Sequence, residues 1–239
     1  MPLNEFSLIE HYFSAIGQAD GVMLGVGDDG ALLDIPAGQH LVVSVDTLVA
    51  GVHFPPDAAP DDIARRALRV NLSDLAAMGA TPRWFTLALT LPGADMDWLK
   101  AFSRALAVDA EQFGCALVGG DTTAGPLTIS IQVMGLVPRG RALTRVGARA
   151  GDYVFVTGTL GEGAAALQLF DPSVELAGSV RERLKERFYQ PMPRLREGLA
   201  LRGLASAALD VSDGLSADLG HNAEQSALGA DLELSALPV

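Results

Sequence analysis

The chain has 239 residues, 49% of them hydrophobic and 19% charged, enough apolar material for one large or two modest packed domains and not the composition of a disordered chain. Its 29 acidic residues against 17 basic ones give a net charge of −12. That balance argues against nucleic acid or an anionic membrane as partner, and it obliges a phosphate-bearing ligand to arrive with a cation or to meet a few placed arginines. Cys115 is the only cysteine, which excludes a disulfide framework and a cysteine-held metal cluster.

The first residues, MPLNEFSLIEHYF, lack the basic-then-apolar order of a signal peptide, and no apolar run reaches the ~18 residues a membrane span needs. A cytoplasmic setting is the expectation. Residues 5–16 predict a short amphipathic helix, with Phe6, Ile9, Phe13 and Ile16 at helical spacing and Gly17 as its stop. GVGDDGALL (25–33) then sets Asp28 beside Asp29 between glycines. Two carboxylates in contact repel by about 4 kcal/mol at a near-surface dielectric. Turn chemistry accounts for the pair on one reading; on the other, a cation lies between them.

LVVSVDTL (41–48) reads as a strand, and PDDIARRALRVNLSDLAAMGA (60–80) as an Asp-capped helix with Ile63, Ala67, Leu68, Leu72, Leu75 and Ala76 on one side. WFTLALTL (84–91) alternates like a strand. DMDWLKAFSRALAVDAEQFG (95–114) is a second capped helix striped by Leu99, Phe102, Leu106 and Phe113, and CALVGGD (115–121) and LTISIQVMGLV (127–137) are further strands. The basic, glycine-containing stretch 138–152 places a linker at 139–151. It separates an N-terminal domain (1–138) from a partial second α/β domain (152–239). There DYVFVTG (152–158) predicts a buried strand. A helix over EGAAALQLF, a polar helical region (179–202), the apolar run ASAALDV and a last helix follow.

The chemistry-bearing residues are acids at the ends of apolar elements. Asp46 follows LVVSV, Asp74 lies in NLSDLAAMGA one turn from Asn71, Asp121 ends CALVGG, and Asp210 and Asp213 flank Ser212 in DVSDG. Each alone is accounted for as a cap or turn residue, Asp213 before LSADLG for example. Together they occupy the least polar surroundings of the chain, where unpaired charge is costly. Oxygen ligands without His or Cys suit magnesium shared with substrate phosphates. No phosphate loop of the G-x-x-x-x-G-K-[ST] type occurs, and the two lysines, Lys100 and Lys185, lie far from any glycine-rich turn. GTLGEG (158–163) misses the dinucleotide fingerprint, and no zinc-protease or nucleophile-elbow motif is found.

GVGDDGALL, SVDTLVAGVHF, NLSDLAAMGATP, LVGGDTTAGPL, GRALTRVGARAGD and DVSDGLSADL, in this order and spacing, resemble the thiamine-monophosphate kinase family. That family lies within a superfamily of ATP-using enzymes that includes aminoimidazole ribonucleotide synthetase, selenophosphate synthetase and a hydrogenase maturation factor. The resemblance runs from about Glu5 to Leu219. It implies a two-domain α/β (α+β) fold of the aminoimidazole ribonucleotide synthetase type. Its N-terminal mixed sheet carries helices on one face and dimerises, and its C-terminal α/β domain is incomplete here. It further implies ATP-dependent phosphorylation of thiamine monophosphate to thiamine diphosphate.

Carried over by motif, the magnesium ligands fall on Asp29, Ser44, Asp46, Asp74, Asp121, Asp210 and Asp213, with Val45 contributing backbone only. Nucleotide contacts fall on Gly120, Asp121, Arg145 and Ser212, the substrate contact on His53, and the catalytic acids on Asp29, Asp74, Asp121 and Asp210. A phosphate monoester is already ionised near neutrality, so an acceptor of this kind needs positioning and charge screening and no strong base. Val45 stands where many relatives carry Thr. Relatives also continue past Val239 with further substrate contacts, so a truncated kinase that binds Mg-ATP but transfers phosphate poorly is expected. The alternatives are another member of the superfamily, or a nucleotide- or metal-binding module without turnover. The strands at 41–48, 84–91 and 127–137 are apolar enough to need cover on both faces, which points to a homodimer.

Overall fold

The computed structural model describes residues 5–17 and 19–239. In chain order come α1 (Glu5–Tyr12), a 3-10 turn (Ser14–Gly17), the short β1 (Val22–Leu24) and β2 (Leu32–Leu33), and β3 (Gln39–Val49). Next are α2 (Pro60–Ala77), β4 (Thr81–Leu91), α3 (Met96–Phe113), β5 (Ala116–Ala124) and β6 (Thr128–Pro138). Phe13 is buried as expected of the first helical stripe, while the Phe6 side chain lies outside the described residues.

Strands β3 to β6 form one mixed sheet in the order β3-β6-β4-β5. Antiparallel pairs join β3 to β6 and β6 to β4, and β5 lies parallel to β4, as a crossover through α3 requires. Side chains alternate faces along each strand. Leu87, Leu89, Ile129, Ile131 and Val133 point inward and pack with Ile63, Leu68, Leu72 and Leu75 of α2 and Leu99, Phe102 and Leu106 of α3. Each such side chain contributes about 1.5–3 kcal/mol on burial. The other face carries a smaller cluster of Trp84, Ala116, Val118, Met134 and Leu136, against which Val22 and Leu33 of the β1–β2 hairpin pack. That hairpin supplies part of the second-face cover that the strand pattern demanded.

The two long helices start differently. Asp95 caps α3, its carboxylate accepting from the Asp97 and Trp98 amides at 3.0 and 3.1 Å. The expected Asp cap of α2 is absent. Ala59 occupies the cap position with no side-chain hydrogen bond, and Pro60 opens the helix with its φ already helical. Asp61 and Asp62 fall in the first turn, where they favour the positive end of the helix dipole.

The two helices are also joined by buried charge. Asp109 of α3, wholly buried, is held by Arg69 Nε at 2.6 Å, by the second Arg69 amine at 3.0 Å and by Arg65 at 2.9 Å. Close by, burial and then the Asp109 charge push the Cys115 thiol up to about 12, so it remains a neutral apolar filler.

Beyond β6 the helices are α4 (Glu162–Ala166), α5 (Gly178–Tyr189), α6 (Leu195–Leu201) and α7 (Leu215–Gln225), with 3-10 turns at 167–170 and 234–236. The strand expected at 152–158 is not formed. Among the described residues that segment has no ladder partner, and Tyr153 and Phe155 are 87% and 88% exposed. The run ASAALDV forms no strand either, although its Ala208 amide donates to the Thr144 carbonyl at 2.9 Å. A strand exists only through a neighbour's hydrogen bonds, which apolar composition cannot supply.

Helices α5 and α6 dock on α2 instead. Leu184, Phe188 and Tyr189 of α5 join the main core. Arg66 donates to the Phe188 carbonyl and lies 4.0 Å over its ring. At Gly198 of α6 a Cβ would stand 2.1 Å from the Ala76 carbonyl oxygen, so only glycine permits this crossing.

Replacing Asp109 by Ala strands the buried charge of Arg69 and frees the partly exposed Arg65, and should cost about 3–5 kcal/mol. Urea denaturation measures it. An unchanged midpoint would mean that the ion pair is energetically silent.

Candidate active site

Strand alternation puts Ser44 and Asp46 on the face of β3 that meets α2, beside the buried Leu48. Val45 points to the opposite face and is 59% exposed, so only its backbone is available to the site. Two hydrogen bonds bind this part of β3 to α2. Asn71, fully buried, accepts the Asp46 amide at 2.9 Å while its own amide donates to the Ala67 carbonyl at 2.8 Å. Three residues on, and so on the same side of the helix, Asp74 accepts from the Ser44 hydroxyl at 2.5 Å.

Asp46, Asp74 and Asp210 act on one another. All three are half-buried, and all three carboxyls are held above the usual carboxylate range. Burial is the main cause each time. The charge of Asp210 adds to it at Asp46, that of Asp46 at Asp74, and that of Asp74 at Asp210. Opposing influences come from the Ser44 hydroxyl at Asp74, from Ser73 at Asp210, from Arg145 at both Asp74 and Asp210, and from His53 at Asp46. His53 is fixed in orientation. Its Nδ1 accepts the Val49 amide at 3.0 Å and its own amide donates to the Val49 carbonyl at 2.9 Å, which leaves Nε2 as the free nitrogen of an exposed ring.

Ser212 and Asp213 lie exposed on the loop before α7. Asp213 is not the helix cap that its position before Gly214 allowed. Gly214 takes the cap position, and the carboxylate of Asp218 reaches back from within the helix to accept the amides of Ser212, Asp213 and Gly214 at 2.9, 3.1 and 3.0 Å.

The remaining expected residues lie on elements other than those of the acid trio. Asp28 and Asp29 are exposed in the β1–β2 connection, and the Asp28 carboxylate accepts the Asp29 amide at 2.8 Å, as turn chemistry alone would have it. Asp121 lies opposite Ala88, which lies opposite Ser130 and in turn Thr47. This row is on the sheet face opposite Ser44 and Asp46. Gly120 has a packing role of its own, because a Cβ there would stand 1.9 Å from the Leu87 carbonyl oxygen.

Sequence reasoning missed Ser73, Asp218 and Asn222. The signal available for the last two was their four-residue spacing in SADLGHNAEQ.

Among the described residues, no three His, Cys, Asp or Glu side chains stand close enough to grip one ion together. The donors of Ser44, Asp46, Asp74 and Asp210 are nonetheless all oxygens. They fit magnesium in its common mode, bound by one or two carboxylates and completed by water and substrate phosphate.

The mixed sheet with helices on one face and an acid cluster at the β3–α2 seam define an AIR synthase-related protein. The family model for "AIR synthase related protein, N-terminal domain" matches residues 27–137. Thiamine-monophosphate kinase of Escherichia coli (strain K12) is 50% identical over 240 residues, covering 100% of this chain and 74% of that protein. The crystal structure of thiamine-monophosphate kinase from Stenotrophomonas maltophilia K279a is 50% identical with a TM-score of 0.82, covering 88% of this chain and 68% of that one. AaThiL complexed with AMPPCP and TMP is 33% identical with a TM-score of 0.76, covering 84% and 65%. The chain belongs to the thiamine-monophosphate kinase family and is a phosphotransferase.

The raised acids make a prediction about stability. A carboxyl whose folded-state value exceeds its unfolded one lends stability that is fully present below the unfolded value, near pH 4, and is lost as pH rises through the folded value. Metal-free Asp210→Asn should therefore melt higher than the parent at pH 7–8, by about 2–4 °C for each kcal/mol of strain relieved. The difference should vanish toward pH 4. Scanning calorimetry at both pH values tests this, and a variant that melts lower at pH 8 would contradict it.

Proposed function

We propose that this chain transfers the terminal phosphoryl group of ATP to thiamine monophosphate, with the nucleotide's phosphates bound where Asp46, Asp74 and Asp210 converge. The carrying observation is that three half-buried acids raise one another's affinity for positive charge while Arg145 stands beside two of them. A protein of net charge −12 that must hold a polyphosphate has two means available, a cation and an arginine, and both belong at this place. The relative that binds AMPPCP together with TMP supports the pairing of a nucleotide triphosphate analogue with this acceptor.

In this reading Ser44, Asp46, Asp74 and Asp210 hold magnesium, with the Val45 backbone and Asp213 as further ligands and Gly120 and Ser212 as nucleotide contacts. The metal screens the phosphate charge. The remaining work belongs to the chain. Arg145 faces the transferring phosphate, Asn71 and Ser44 keep Asp46 and Asp74 from swinging away, and His53 offers Nε2 to the acceptor. An oxygen of the acceptor monoester forms the new P–O bond as the bond between the β- and γ-phosphates of ATP breaks, leaving ADP. No base is required, because that oxygen is already ionised. The rate comes from alignment and charge stabilisation.

ADP release with thiamine monophosphate, measured with and without magnesium, tests the activity. For the site, Asp74→Asn should weaken Mg-ATP binding at least tenfold, about 1.4 kcal/mol, by titration calorimetry with the fold intact. Unchanged binding would place the phosphates elsewhere.

We infer in addition that two copies pair through the outer face of the sheet. Leu41, Val43 and Val45 of the edge strand β3 are 37%, 50% and 59% exposed, and the first two continue the outer apolar cluster at Leu136 and Met134, their partners across β6. The hairpin leaves this strip open, and a contiguous apolar strip along a strand edge favours association. Light scattering at micromolar concentration should give a dimer for the parent and a monomer for Val43→Asp. A dimer that survives the substitution would move the interface elsewhere.

A further inference from the structure

Three polar residues at four-residue intervals, Asp218, Asn222 and Ser226, share one side of α7 and its C-cap. Each is engaged with the backbone of a segment that carries a site residue. Asp218, 5% exposed, accepts the amides of Ser212, Asp213 and Gly214. Asn222, 8% exposed, donates to the Arg145 carbonyl at 3.1 Å. Ser226 accepts the Gly147 and Ala148 amides, both at 3.3 Å. One carboxylate oxygen thus organises three consecutive amides, two of which lie ahead of the helix and are not among its own unsatisfied donors. An apolar contact would have sufficed to seat a helix, and a buried carboxylate is a costly way to do it.

We propose that this side of α7 is a positioning element. It sets the 210–214 loop and the 145–148 segment at a fixed separation, so that Arg145 and the loop's Ser212 and Asp213 reach the same phosphates. The proposal rests on the phosphate-binding reading of Arg145 given above. Asp218 and Asn222 touch no ligand in this scheme. Their influence passes through the backbone they hold.

Because Asn222 acts through Arg145, its effect on binding should disappear once Arg145 is gone. Titration calorimetry of Mg2+ with AMPPCP on the 239-residue chain provides the test, with Arg145→Ala, Asn222→Ala and their double variant forming a cycle. Asn222→Ala should weaken binding about tenfold, in the range of lost supporting contacts, and the double variant should bind no more weakly than Arg145→Ala alone. Asp218→Ala should weaken binding by at least as much. Asp218→Asn keeps an acceptor oxygen and should recover part of the loss. It also supplies the measurement if the alanine variant does not fold.

A merely structural role gives a different pattern. Melting temperatures fall while affinity per folded molecule stays at the parental value, or the losses of Arg145→Ala and Asn222→Ala add in full. Either result overturns the proposal with the phosphate site intact. A parent chain that does not bind Mg2+ and AMPPCP overturns both.

Discussion

The burial of three carboxyls that also repel one another, Asp46, Asp74 and Asp210, is the constraint around which the rest of this molecule is arranged. Carboxylates free to turn would swing into water and relieve it. They are kept in place because two come from regular elements locked together by Asn71 and Ser44, and the third ends an apolar run. The strain confines a strong preference for positive charge to one seam of an acidic surface.

Helix α2 does most of the confining. Its apolar side is buried against the sheet, its arginines clamp Asp109 of α3 and the α5 backbone, and its polar residues from Asn71 to Asp74 line the acid seam. Core and site are therefore one rigid body at this point. A shift of α2 large enough to relax the acids would also open the packing around Leu72 and Leu75, both fully buried. The close approach of Gly198 to Ala76 extends that rigidity to the region that leads to Asp210.

The sheet presents two unlike faces, and the division bears on function. Ser44 and Asp46 look inward to α2, whereas Val45, Thr47 and Asp121 look outward to the side where Leu41 and Val43 are exposed. Residues adjacent in sequence thereby serve different faces, the acid seam on one side and the exposed apolar strip on the other. The period-2 geometry of a strand leaves no third option.

The N-terminal half was legible in the sequence because its signals are local. The stripe at Ile63, Leu68, Leu72 and Leu75, the Asp95 cap and Gly114, and the alternation through 84–91 and 127–137 each specify their element without help from distant residues. The family motifs, contiguous and in order, identified the chemistry as well. Tertiary structure alone decided the rest. DYVFVTG has the composition of a strand, but a strand depends on a partner whose position no local pattern encodes. Asn71, Asp218 and Asn222 look like ordinary helix residues until the backbone amides and carbonyls they reach, 25, 4 to 6 and 77 residues away, are brought beside them. The convergence of Asp46, Asp74 and Asp210, and the separation of Asp121 from them, follow from strand register and helix docking. Composition and spacing state which residues carry charge, and only the folded backbone states which of those charges meet.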